Sequence, residues 1–125
     1  MQGVKALEPI NKDKVQSLLE SYENKPVYLH VETTNGSYAS HFDDRVFNAG
    51  TFLRNIEVTF THAELKSGLN DPYRVGLKLN NNGWVYVQGL THFEVNEDDE
   101  FLISGLNYEG KLAASLQISE KPFRI

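Results

Sequence analysis

The chain has 125 residues, no cysteine, 17 acidic side chains against 12 Lys and Arg, and a net charge of −5. Disulfides, thiolate catalysis and Cys-ligated zinc or iron–sulfur centres are excluded. The acidic balance, with its cations scattered, argues against nucleic acid or an anionic membrane as partner. No run of about 18 apolar residues occurs, and Met1 to Lys14 lacks the apolar core of an export signal. A single domain over residues 1–125 is expected, soluble and cytoplasmic, large enough to bury roughly two-thirds of its unfolded surface.

The first predicted element is a helix over about residues 11–23. Asn11 can cap it, Asp13 sits in its first turn, and Val15, Leu18, Leu19 and Tyr22 recur with helical spacing. Asn24-Lys25-Pro26 ends it, and from there a β-rich core runs to about residue 120. Pro26 to Thr34 alternates apolar and polar, reaches Asn35-Gly36, and returns as Ser37 to Asp43. Asn-Gly favours a tight hairpin turn, which places His30 opposite His41. Val27, Leu29 and Val31 then face the core, with Tyr28, His30, Glu32, His41 and Asp43 on the other side.

Thr51 to His62 is the next strand, with Phe52, Arg54, Ile56, Val58 and Phe60 on one parity. A second hairpin joins Tyr73–Leu79 to Trp84–Leu90, and its Tyr73, Trp84 and Tyr86 are read as core. A strand over His92–Val95 leads to the acidic tip Asn96–Glu100, read as a solvated turn. A last hairpin joins Phe101–Leu106 to Lys111–Ile118. Seven or eight short strands predict an all-β fold: a small antiparallel barrel-like domain, or a sandwich, with one N-terminal helix. Gly76, Gly89 and Gly105 suit bulges or barrel corners.

Several of these segments are familiar. Val27-Tyr28-Leu29-His30-Val31-Glu32-Thr33-Thr34-x-Gly36-Ser37-Tyr38 resembles the first hairpin of the YojF-like proteins of low-GC Gram-positive bacteria. Tyr73-Arg74-Val75-Gly76-Leu77-Lys78, Gly83-Trp84-Val85-Tyr86 and the tail Gly110-Lys111-Leu112-Ala113-x-Ser115-Leu116-Gln117-Ile118-Ser119 fit as well. The resemblance implies an all-β, barrel-like fold and supplies no catalytic residues. Genes of the family tend to lie beside an LmbE-type zinc N-deacetylase implicated in bacillithiol synthesis, which implies an accessory role and a deacetylase-like protein partner.

All four histidines precede a carboxylate by two residues: His30/Glu32, His41/Asp43, His62/Glu64 and His92/Glu94. In a strand each pair shares a face. His30 and His41 across a hairpin could both bind one zinc or other divalent metal, with Glu32 or Asp43 completing the set. The same groups could act as a general base. The leading alternative is a polar outer face without chemistry, and no cofactor is expected. His62, on the parity of Phe60, is placed at the core rim. Neither the zinc-deaminase nor the zincin signature is present.

Arg54 falls among apolar positions, where an unpaired charge is costly to bury. It pairs internally, reaches the rim, or holds a small anionic ligand in the mouth of an open barrel. The function expected first is a non-catalytic binding or interaction module, and the frequency of two-fold oligomers adds a homodimer. A metal-dependent enzyme and an anion-binding barrel are the alternatives.

Overall fold

Helix α1 (Lys12–Glu20) begins where the sequence predicts. In the computed structural model of the chain, which describes residues 7–34, 49–67 and 72–124, Asn11 is an extended N-cap whose Oδ1 accepts from the Lys14 N–H at 3.1 Å. Val15 and Leu19 of α1 are buried. The chain then reverses through Asn24, held at a φ of 66, before Pro26 opens a strand. Asn reaches that left-handed conformation more readily than most residues.

The strands are β1 (Glu8–Pro9), β2 (Pro26–Thr34), β3 (Gly50–Ser67), β4 (Tyr73–Leu79), β5 (Trp84–Leu90), β6 (His92–Val95), β7 (Phe101–Leu106) and β8 (Leu112–Ser119). They form one sheet in the order β1-β6-β7-β8-β2-β3-β4-β5, antiparallel at every pairing. The sheet curls into a half-barrel, so that β5 comes back against β7 and β8. Two glycines permit this approach. Gly89 takes a φ of 86 at a shift in the β4–β5 register, and a Cβ on Gly105 would collide with the Gly89 carbonyl. Leu29, Phe60, Leu77, Leu90, Phe101, Ile103, Leu116 and Ile118 fill the core together with the apolar side of α1. Each such side chain contributes about 1.5–3 kcal/mol by leaving water.

The long strand β3 holds two bulges that the alternating sequence conceals. Leu29 pairs with Ile56 and Val31 with Leu53, so His30 faces two residues, Arg54 and Asn55. Phe60 pairs with Leu79 but His62 with Lys78, which makes Thr61 the extra residue of the second bulge. Each bulge shifts the inside–outside alternation by one position. Arg54 is therefore exposed instead of sharing a core face with Ile56 and Val58. His62, expected at the core rim, is likewise exposed, while Ala63 and Leu65 point inward.

Beyond Thr59 the edge of β3 has no strand partner in β2, and α1 and the turn that follows it take over its hydrogen bonds. The Gln16 amide donates to the Ala63 carbonyl and accepts from the Leu65 N–H, both at 2.9 Å. The Ala63 N–H reaches Glu23 Oε2 at 2.9 Å, and the Asn24 N–H reaches the Phe60 carbonyl at 2.8 Å. A polar side chain of the helix and groups of the turn after it thus satisfy a strand edge that burial would otherwise leave unpaired.

Two further expectations change. The strand expected to pair with β2 was residues 37–43, but β3 and β8 occupy both its edges, with Gln117 opposite His30 in β8. His41 and Asp43 lie outside the described residues. Trp84 and Tyr86, read as core, are 43% and 56% exposed. Their rings stack at 5.3 Å on the outer face of β5, where Tyr86 covers Gly76 and Arg74 lies over the Tyr86 ring. Gly76 has no side chain to displace that ring, which lets Tyr86 lie flat against β4.

Candidate functional site

Because Val27, Leu29 and Val31 point into the core, His30 points to the opposite face of the sheet. It is nevertheless only 8% exposed. The C-terminal segment after β8 crosses this face, and Phe123, itself 6% exposed, stacks on the imidazole with ring centroids 4.1 Å apart. A small second core therefore lies outside the barrel.

Asn55, the bulge residue at a φ of 51, holds both partners. Its backbone N–H donates to His30 Nδ1 at 3.0 Å. Its side-chain amide donates to the Phe123 carbonyl at 2.9 Å and accepts from the Phe123 N–H at 2.7 Å. One residue thus fixes the ring and the segment that covers it. With Nδ1 accepting, the neutral ring carries its proton on Nε2, and contact with a bound molecule falls to that nitrogen.

His30 and Phe123 form one wall of a cleft of about 470 Å³, with Asn55 behind them. Arg54 enters from the β3 bulge, Lys121 and Arg124 from the C-terminal segment, and Asp98 and Glu100 from the β6–β7 turn. Gln117 and Ser119 of β8 supply neutral polar groups. The acidic turn, expected to be merely solvated, is built around Asn96: its Oδ1 accepts from the Asp98 and Glu100 N–H groups and its Nδ2 donates to Glu100 Oε1 at 2.9 Å. Glu100 is held in place on the cleft wall by this turn.

Burial holds the His30 pKa below the usual imidazole value, and the Arg54 charge acts in the same direction. The Leu29 backbone and Glu100 pull it the other way. An imidazolium would also point an Nδ1–H at the Asn55 N–H, so the Asn55 contact itself favours the neutral ring. Beside the cleft, a hollow of about 360 Å³ shares Asp98, Ser119 and Lys121 and is lined by Tyr22. Burial, with Glu120 and Asp99 nearby, pushes the Tyr22 hydroxyl pKa up.

Of the residues singled out in the sequence, the cleft brings together His30 and Arg54. Glu32 is half-buried on β2 opposite Phe52 and Ser115, away from the cleft lining. His92 is half-buried with its Nδ1 2.7 Å from the Thr91 hydroxyl. Among the described residues no three His, Asp or Glu side chains converge to hold a metal ion. Also among the described residues, no helix is long and apolar enough to cross a membrane. Sequence reasoning missed Asn55, Lys121, Phe123 and Arg124. The available signal was an Asn inside a strand pattern, a residue type that strands disfavour and bulges accept.

The comparisons with known proteins agree with this fold. A crystal structure of the Bacillus subtilis YojF protein matches with a TM-score of 0.75 and 41% identity, covering 97% of this chain and all of that one. The uncharacterized protein YojF of Bacillus subtilis (strain 168) is 46% identical over 119 residues, 95% of this chain and the whole of that protein. The family model described as a protein of unknown function (DUF1806) matches residues 9–123. The chain belongs to this family, the YojF-like proteins.

Proposed function

We propose that the chain is a non-catalytic binding module that takes a small anionic molecule into the cleft. Arg54, Lys121 and Arg124 meet its charge, and the His30 Nε2–H donates a neutral hydrogen bond. The observation that supports this is the gathering of three cations around one hollow on a chain whose net charge is −5. Among the described residues none of the three has a carboxylate at ion-pair distance. Asp98 and Glu100 on the same cleft favour a ligand that also carries an ammonium or hydroxyl group. The site lies on the outer face, not in the barrel mouth where Arg54 alone pointed.

Binding of sulfate and of malonate at about pH 7.5 tests the reading by calorimetry. Arg54→Ala is expected to weaken binding about tenfold, equivalent to about 1.4 kcal/mol, with the melting temperature unchanged because Arg54 is exposed. Equal binding by the variant, or no binding of either anion by the natural chain, counts against it.

The exposed Trp84–Tyr86 stack with Arg74 favours a second reading, a surface for a protein partner, since aromatic and Arg side chains dominate such contacts. The family resemblance supplies the candidate, an LmbE-type deacetylase in the cytoplasm, and a homodimer belongs to the same proposal. Co-purification of the deacetylase with the natural chain, lost on Trp84→Ala, is the expected result. Co-purification unaffected by that change would remove the patch from the proposal.

A further inference from the structure

Lys121 and Arg124, two of the three cations of the cleft, stand on the short segment that follows β8. The Asn55–His30–Phe123 contact set fixes the far end of that segment at the cleft: two hydrogen bonds between the Asn55 amide and the Phe123 backbone and a stack of Phe123 on His30. Its near end is held separately, by the Lys121 N–H on the Ser119 hydroxyl at 3.1 Å and by the Lys25–Glu120 ion pair. The same Asn55 donates its backbone N–H to His30 Nδ1. The position of Arg124, next to Phe123, and the protonation of the imidazole therefore depend on one residue.

We propose that Asn55 and Phe123 are positioning residues of the cleft, forming a latch that keeps Arg124 in binding position only while His30 is neutral. The inference rests on the anion-binding reading of the same site and adds its regulation. A proton on Nδ1 would set two donors 3.0 Å apart, so the ring must turn or Asn55 must withdraw. The stack with Phe123 by itself tolerates a cation; the Asn55 N–H does not. Withdrawal of Asn55 takes with it the clamp on Phe123, and turning of the ring breaks the stack on Phe123; either movement loosens the end of the segment that carries Arg124.

Charged groups from three elements line the cleft with His30. Arg54 on β3 opposes its protonation and Glu100 on the β6–β7 turn favours it; Lys121 and Arg124 on the segment and Asp98 on the turn share the lining, and Glu32 lies two residues along its own strand. Gln117 and Ser119 on β8 are neutral. The consequence has an unusual sign. In a fixed cleft, protonating a histidine adds positive charge and strengthens anion binding. With the latch, acid weakens it.

Sulfate is the probe, because its charge is constant between about pH 5.5 and 7.5, where Asp and Glu also stay largely ionised. The dissociation constant of the natural chain is expected to rise at least about threefold on acidification across that range, and to stay flat in His30→Gln. Tighter binding in acid by the natural chain overturns the latch. Without ligand, the Phe123 and Asn55 amide resonances should shift with the same midpoint as the His30 ring signals. Amides that stay still while His30 titrates also overturn it. Asn55→Gly, which keeps the left-handed backbone and the N–H to His30 but removes the clamp, should free Phe123 and weaken sulfate several-fold at neutral pH. Sulfate binding at full strength in that variant counts against the positioning role. If sulfate binds at no pH, the binding reading fails, and the ligand-free amide titration still decides the latch.

Discussion

Asn55 donates its backbone N–H to Nδ1 of His30 at 3.0 Å from a conformation, φ 51, that few side chains accept. The bulge that puts Asn55 there also turns Arg54 away from the core and into the cleft. One local irregularity in β3 thereby places a cation, orients a histidine and anchors the C-terminal segment.

The backbone conformation and the clamp are separable. Asn55→Gly loses the side-chain bonds to Phe123, whereas Asn55→Ala loses them and also strains the backbone. Urea unfolding should find both less stable, with the Ala variant lower by about 1 kcal/mol. An Ala variant as stable as the Gly variant would mean that the bulge relaxes without cost.

The pH dependence of stability follows from the lowered pKa of His30. Above the ordinary imidazole value both folded and unfolded chains hold the ring neutral, and the group adds no pH dependence. As pH falls below about 6.5 the unfolded chain takes up the proton first, so stability drops until the pH passes the lowered folded value. The difference between the natural chain and His30→Gln isolates this contribution from that of the carboxylates. The variant is expected to lose less stability between about pH 6.5 and the folded value; an identical loss would show that burial of His30 carries no proton penalty.

Gln16 is half-buried on α1, and its amide serves both a carbonyl and an N–H of β3. Gln16→Ala should cost about 1–3 kcal/mol, because the Ala63 and Leu65 groups lose partners in a partly buried place. Gln16→Leu should not restore the loss despite its apolar bulk. Recovery by Leu in chemical denaturation would show that α1 docks by apolar packing alone.

The closure of the half-barrel is open to a test of its own. Gly105→Ala sets a methyl against the Gly89 carbonyl, a backbone atom that cannot turn aside. A loss above about 2 kcal/mol, or failure to fold, is expected. Gly110→Ala, at a φ of 80 with nothing within 4 Å, should cost only about 1 kcal/mol of backbone strain. Equal losses at the two positions would contradict the close approach of β5 and β7.

Much of the fold was readable because local rules agreed with it. Asn11 capped as expected, and the hairpins β4–β5 and β7–β8 turn at the Asn- and Gly-containing loops. The order of strands was not readable, since hydrophobic alternation does not say which strand lies beside β2. Bulges at Arg54–Asn55 and at Thr61 broke the parity on which the faces of Arg54 and His62 were assigned. His30 was found as a residue but misplaced as an environment, because its cover, Phe123, lies 93 positions away in sequence, being 123 less 30. The outer exposure of Trp84 and Tyr86 was hidden for a related reason: an aromatic pair at i and i+2 reads alike on either face of a sheet.

The central claim is that the cleft between His30, Arg54 and the C-terminal segment binds anions. Its most direct test is a sulfate titration of the isotope-labelled chain at about pH 7.5, followed residue by residue by NMR. Saturable shifts concentrated at His30, Arg54, Lys121, Phe123 and Arg124, and abolished by Arg54→Ala, are expected. Shifts that never saturate, that scatter over the surface, or that persist unchanged in the variant would contradict it.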